Sequence, residues 1–296
     1  MSTLSITCIQ THLHWEDKTA NLQMLEQKIN SIKEKTEIVV LPEMFSTGFS
    51  MKPAELAETM EGETVQWMKR MAAAKKIILT GSVIIKEEGP VVGLQSSQTE
   101  HSNSVQTGTV GPRYFNRLIW VLPNGQYGVY DKRHRFAFAG EDEQYTAGTK
   151  RLIASVKGWK INLLVCYDLR FPVWARQTSP PVPSPQGERG GTGAEYDVLI
   201  YVANWPERRS HAWKTLLQAR AIENQSYVVG VNRVGKDGND IYHSGDSMII
   251  DPMGEVLYTK KDEENIFTIT LDKTHLQNIR EKLPFLKDAD GFIINL

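Results

Sequence analysis

The sequence predicts an α/β layered protein with a mixed sheet or sheets. Two observations carry this. Short strand-like apolar runs alternate with helix-period segments near both ends of the chain, and hairpin signals lie between them. A composition of 41% hydrophobic and 23% charged residues is that of a globular chain, and 296 residues fit one α/β domain. The alternation alone does not count the sheets.

Each element has a local reason. Leu4 to Gln10 alternates as a strand does, and Leu22, Leu25, Ile29 and Ile32 recur at helical spacing within Asn21 to Lys35. Ile38 to Leu41 is a short apolar run stopped by Pro42, hence a strand buried on both faces. Glu63 to Lys75 reads as helix and Ile77 to Ile85 as strand. Arg113 to Leu122 and Gln126 to Lys132 flank Pro123-Asn124-Gly125, a hairpin turn. Arg151 to Val156 and Trp159 to Cys166 are strands, and Phe171 to Gln177 starts a helix with Pro172 in its first turn. Asp197 to Ala203 is a strand, Arg208 to Gln225 a long helix, and Tyr227 to Asn232 and Ser247 to Asp251 further strands. Lys236 to Asn239 is a turn. After the turn Asp251 to Gly254 come strands over Val256 to Thr259 and Ile266 to Leu271, then a helix over Asp272 to Lys282.

Two segments break the rhythm. Glu88 to Gly111 is rich in Ser, Thr, Gln and Gly, and Thr178 to Ala194 in Pro and Gly. Both read as mobile surface insertions in one domain spanning residues 1–296, which ends in a tail over 272–296. A net charge of -1 leaves no broad basic field for nucleic acid. Two cysteines, Cys8 and Cys166, are too few for a disulfide framework, so a reducing, cytoplasmic setting is expected. The N-terminus lacks the basic and apolar regions of a signal peptide, and no apolar run is long enough to span a bilayer. The histidines show no ligand spacing, so neither a catalytic metal nor another cofactor is expected.

Three motifs share a design, each a strand end followed by polar residues. VVLPEMFSTGF places Glu43 after a buried strand, VYDKRHRF places Lys132 at the end of a hairpin strand, and LLVCYDLRFP places Cys166 where a strand is left. Taken singly, each has a plain alternative: a core cysteine, a loop glutamate, a solvated lysine. Reacting groups of α/β proteins gather where strands end, so together they suggest one cleft. There a cation favours the thiolate, and a glutamate acts as general base. The lysine and the Tyr167 N–H then stabilise the oxyanion.

The stretches LPEMFSTGF, YDKRHRF, LVCYDLRFPVWAR and YVANWPERRSHAW resemble the motifs of the nitrilase superfamily of carbon–nitrogen hydrolases, most nearly its bacterial omega-amidase branch. The resemblance runs almost from end to end. It implies a four-layer α-β-β-α sandwich, a catalytic triad at Glu43, Lys132 and Cys166, and a second glutamate before a glycine turn. By spacing to Gly148 that glutamate is Glu141, with Glu143 the alternative. It further implies that Arg170 binds a substrate carboxylate, a task suited to a bidentate guanidinium, against a structural pair with Asp168 or a salt bridge at an interface. Asp168 itself reads as a brace rather than a base. Phe45, Tyr167, Asn204 and Trp205 are expected to line the pocket, with core packing an equal reading for Trp205. The expected activity is hydrolysis of a linear monoamide of a dicarboxylic acid, such as alpha-ketoglutaramate or succinamate, by a homodimer or larger homo-oligomer. The alternatives are an N-carbamoyl amine, a nitrile or deaminated glutathione as substrate, or a non-catalytic binding protein on the same fold.

Overall fold

The computed structural model describes residues 2–89, 91–93, 107–109, 111–177, 194–290, 292 and 294. The chain runs β1 (Thr3–Gln10), α1 (Lys18–Asn30), β2 (Ile38–Val40), α2 (Pro53–Leu56), α3 (Glu63–Lys75), β3 (Ile78–Glu87), β4 (Val91–Gly93), β5 (Thr107–Thr109), β6 (Arg113–Val121) and β7 (Tyr127–Asp131). It continues with α4 (Glu141–Gln144), β8 (Leu152–Val156), β9 (Trp159–Val165), α5 (Pro172–Ala175), β10 (Val198–Ala203), α6 (Ser210–Asn224), β11 (Tyr227–Asn232), β12 (Val234–Lys236), β13 (Tyr242–Ile250), β14 (Val256–Lys261), β15 (Asn265–Asp272) and α7 (Lys273–Lys282).

Two sheets form the centre. One has the order β15-β1-β2-β3-β6-β7, the other β12-β13-β11-β10-β9-β8, with β14 added along β13. Each has three parallel strands in its middle, β1-β2-β3 and β9-β10-β11, flanked by antiparallel ones. Period-two alternation sorts the side chains of the first sheet. Leu4, Ile6, Cys8, Ile38, Val40, Ile78, Leu118 and Trp120 join the cluster that contains the second sheet's core residues. Their neighbours Ile9, Val39, Leu41, Leu79, Ile119 and Val121 pack with Leu22, Leu25 and Ile29 of α1 and Val65, Met68 and Met71 of α3. On the far side, Trp213, Leu217 and Ala221 bring α6 onto β11 and β13. The result is the four-layer α-β-β-α sandwich. A slip of one residue would exchange the faces, setting the side chains that fit the second sheet against the helices and the reverse.

Differences from expectation have local causes. α1 starts at Lys18 because the Asp17 side chain accepts from Ala20 N, and it ends at Asn30, where Ser31 Oγ donates to Lys28 O. The segment Phe171 to Gln177 holds only the single turn of α5. β13 begins five residues before Ser247, and its partner β12 was not foreseen; the expected turn joins them, with Asp237 Oδ1 accepting from the N–H groups of Asn239 and Ile241. Within the first polar segment, β4 and β5 pair as an antiparallel ladder. The second, Thr178 to Ala194, lies outside the described residues except for Ala194. Among the described residues, no helix is long and apolar enough to cross a membrane.

Candidate active site

The site is built where strands end, and the segments that leave β2 and β7 are held there by bonds to the neighbouring strands β3 and β6. After β2, Leu41 N donates to Thr80 O, Met44 N to Ser82 Oγ and Phe45 N to Ser82 O. These bonds fold residues 41–45 onto β3 and bury Glu43 completely. The turn requires a left-handed Met44, with φ at 42°. It also sends Phe45 the other way. Phe45 packs against the Trp67 ring, centroids 5.9 Å apart, over Gly81, where a Cβ would come within 2.7 Å of its ring. Phe45 thus belongs to the α1–α3 layer and does not line the cavity, contrary to expectation; Phe49 and Met51 of the same loop do.

Lys132 follows β7. Its N–H donates to Asn116 O, and its carbonyl accepts from Gly148 N. Gly148 lies so close to this strand end that a Cβ would sit 2.0 Å from Asp131 O. This explains the glycine used as the spacing marker. Lys132 Nζ donates to Glu43 Oε1 at 2.9 Å and to Glu141 Oε1 and Oε2 at 2.9 and 2.8 Å. Glu141 is fully buried at the start of α4 and accepts from Phe136 N at 2.5 Å, whereas Glu143 is exposed. Of the two glutamates, Glu141 meets the lysine.

Two further groups tie this ion cluster together. Asn116 Nδ2 donates to Glu43 Oε1 at 2.7 Å and to Glu141 Oε1 at 3.2 Å; Asn204 N donates to Glu43 Oε2 at 2.8 Å. Asn116 was not foreseen, yet it had a signal. It shares parity with Leu118 and Trp120, so it is a polar residue on an otherwise apolar inward face. Burial alone would lower the Lys132 pKa, but the Glu141 and Glu43 carboxylates reverse this and hold the ammonium protonated. Burial pushes Glu141 upward against the opposing pull of Lys132.

β9 ends at Val165, one residue earlier than the pattern suggested. Cys166 opens a 3-10 turn, Cys166–Arg170, with φ at 44°. Positive φ in a non-glycine residue is costly and concentrates at functional sites. The turn is braced by Asp168, which accepts from Val165 N at 3.0 Å, His134 N at 2.9 Å and Tyr130 Oη at 2.7 Å. Asp168 also lies 2.8 Å from His134 Nδ1. It therefore holds the turn and is not paired with Arg170. As the second residue of the turn, Tyr167 has no helical acceptor for its N–H. Burial of the Cys166 thiol, followed by the Glu43 charge, pushes its pKa well above the ordinary thiol value, with Lys132 opposing.

Cys166 opens into a cavity of about 270 Å³, a size for a small molecule. Tyr167, Arg170, Asn204 and Trp205 line it. Trp205 serves in both ways considered for it: its ring packs near Trp213 and supports the Arg170 guanidinium 5.2 Å from its centroid. Phe136, Phe138, Arg208, Arg209 and His243 complete much of the wall and were not foreseen. Their approach depends on which loops meet above the sheet ends. Among the described residues, no group of three or more His, Cys, Asp or Glu is placed to hold a metal ion.

A sandwich of two sheets with Glu, Lys and Cys meeting at their edge defines a class, and comparison with known proteins agrees. The chain belongs to the carbon–nitrogen hydrolase family, whose profile matches residues 5–281. Within the nitrilase superfamily it is closely related to the omega-amidase YafV branch. It is 39% identical to the omega-amidase YafV of Escherichia coli (strain K12) over 293 residues, 99% of each chain. It is 28% identical to a 2-oxoglutaramate amidase of Bacillus subtilis (strain 168), over 96% of each. A solved CN-hydrolase superfamily protein of Xanthomonas campestris, with an arsenic adduct in its active site, matches with a TM-score of 0.85 at 37% identity, covering 100% of both chains. The protein is a cysteine-dependent carbon–nitrogen hydrolase of the amidase type.

Proposed function

We propose that the protein hydrolyses a small linear monoamide of a dicarboxylic acid, of the 2-oxoglutaramate (alpha-ketoglutaramate) or succinamate type, to the diacid and ammonia, with Cys166 as nucleophile. The observation that carries the substrate class is Arg170. It faces the same cavity as Cys166, and among the described residues its guanidinium makes no hydrogen bond or ion pair. An unpaired guanidinium beside the nucleophile suits a substrate with a carboxylate at one end and the amide at the other. The names of the omega-amidase and 2-oxoglutaramate amidase relatives support this reading. Cys8 is no rival nucleophile: it is sealed in the core, and burial pushes its thiol up to about 12.

The chemistry follows from the hydrogen bonds. Glu43 takes the thiol proton as Cys166 sulfur attacks the amide carbon. At rest all three Lys132 N–H groups point at the two carboxylates. Protonation of Glu43 weakens one of these bonds and frees an N–H for the oxyanion, alongside the Tyr167 N–H. The net charge of the buried cluster is unchanged by the transfer, since one anion is exchanged for another. Glu43 then gives its proton to the leaving nitrogen, so ammonia departs and a thioester remains. Water attacks the thioester, Glu43 accepts its proton and returns it to the departing sulfur, and the acid is released. Glu141 and Asn116 hold Lys132 and Glu43 in place throughout.

We also place the enzyme in the cytoplasm as a homodimer or larger homo-oligomer. Its two free cysteines suit a reducing compartment, and Val173 of α5 and Ile222 of α6 are more than half exposed. Light scattering of the purified chain checks the oligomer. The test of function is ammonia release from 2-oxoglutaramate and succinamate by the wild type and by Cys166→Ala. Release is expected from the first alone; equal release from both would sink the mechanism.

A further inference from the structure

The cavity holds more positive charge than one carboxylate-binding arginine supplies. Arg170, Arg208 and Arg209 all line it, and Asp237 is the one acidic residue of its wall among the described residues. Asp237 is already engaged, its Oδ1 accepting from Asn239 N and Ile241 N. Arg208 is exposed, but Arg209 is half-buried. The Arg209 guanidinium lies over the Phe136 ring, 4.9 Å from its centroid, as Arg170 lies over Trp205. Among the described residues, neither guanidinium makes a hydrogen bond or an ion pair. Burial, and then the Arg208 charge, hold the Arg209 guanidinium below its ordinary range, and Arg170 adds to this.

We propose that Arg209 is a second carboxylate-binding residue, so that the acid end of the substrate is held by two guanidinium groups, one resting on Trp205 and the other on Phe136. Three features support it. Both arginines share the wall that contains Cys166. Both lie over aromatic rings, contacts that reduce the freedom lost when a carboxylate binds. Two like charges facing one small cavity repel when it is empty, and an anion between them relieves that repulsion. Arg209 is also firmly placed. Its carbonyl accepts from Trp205 Nε1 at 2.8 Å, and the next residue, Ser210, donates from Oγ to Asp246 Oδ2 at 3.0 Å. These bonds involve the main chain of Arg209 and its neighbour, so replacing the guanidinium leaves them in place.

This inference rests on the acid-monoamide reading, and its test separates the two. The rate constant kcat/KM is measured for succinamate and for butyramide, which has the same chain length and no carboxylate. The enzymes are the wild type, Arg170→Gln, Arg209→Gln and Arg209→Lys. The quantity read is the ratio of the two rate constants, which cancels a general loss of folded enzyme. Arg209→Gln is expected to lower the ratio by about 10-fold or more, mainly through KM for succinamate, as loss of a charge-assisted hydrogen bond does. Arg209→Lys should fall between, because an ammonium keeps the charge and loses the fork. Binding of succinate to Cys166→Ala should weaken by a similar factor when Arg209→Gln is added. A ratio that Arg170→Gln lowers and Arg209→Gln leaves within about twofold of the wild type overturns the Arg209 assignment alone. A wild-type ratio near one overturns the acid-monoamide reading, and the Arg209 assignment with it.

Discussion

Replacing Glu43 by glutamine should abolish turnover while making the Cys166 thiol easier to ionise. The two effects have different origins in one side chain. Glutamine has the same shape, but one carboxylate oxygen becomes an NH2 donor. Glu43 Oε1 accepts from Lys132 and Asn116, and Oε2 from Asn204 N. Whichever way the amide turns, it sets a donor against a donor, at a cost of about 1–3 kcal/mol in stability. The general base is lost as well, which lowers kcat by about 10²–10⁴, or about 3–5 kcal/mol of barrier. The thiol moves the other way. After burial, the Glu43 charge is the chief cause that raises the Cys166 pKa, while Lys132 lowers it. Removing the anion leaves the cation, so the thiolate forms at lower pH. The assay pairs ammonia release with the pH profile of Cys166 alkylation by a small haloacetamide. Turnover should fall by at least about 100-fold, and the alkylation profile should shift to lower pH. Turnover within about 10-fold of the wild type, or a profile shifted upward, would refute the assignment of Glu43 as base.

Two other changes test the frame around the site. Gly148→Ala drives a Cβ into Asp131 O, so the strand end that carries Lys132 must move; a loss of about 1–3 kcal/mol or more in urea unfolding is expected, together with lower kcat. His243 lines the cavity, and burial, followed by the Arg233 charge, lowers its pKa from 6.5 to about 4. The unfolded chain therefore takes up this proton first, and stability falls as pH drops from about 6.5 to about 4, by about 3 kcal/mol. His243→Gln should flatten the urea midpoint across that window, and an unchanged pH dependence would show that His243 is not held neutral.

Much of the architecture is legible along the chain, because its causes are local. Alternation in Leu4 to Gln10 and the spacing of Leu22, Leu25 and Ile29 are set by neighbours a few residues away. So is the turn at Gly125, whose φ is 83°. Helix ends were less legible: Asp17 and Ser31 decide α1 through side-chain bonds that compete with the pattern. Glu43, Lys132 and Cys166 were legible as strand-end residues, and Glu141 through its distance from a glycine. Phe45 was misplaced because its motif shows it beside Glu43, while the left-handed turn at Met44 points the two side chains into different layers.

The sequence by itself determined the order of strands and helices, the inward rows of apolar side chains and three chemically apt residues at strand ends. It also carried the likeness to the carbon–nitrogen hydrolases. Only the tertiary structure decided that these residues meet. Glu43 and Lys132 are 89 residues apart along the chain, yet their side chains are in hydrogen-bond contact, because two strands of one sheet end at the same edge. Arg209 and His243 join the site through contacts between segments far apart in the chain, which no local period encodes, and Asn116, turned inward by its parity on β6, meets Glu43 only there. The ionisation of the Cys166 thiol, Lys132 and Glu141 depends on burial and on charges brought from distant segments. Those are properties of packing, and they exist only once the layers have closed.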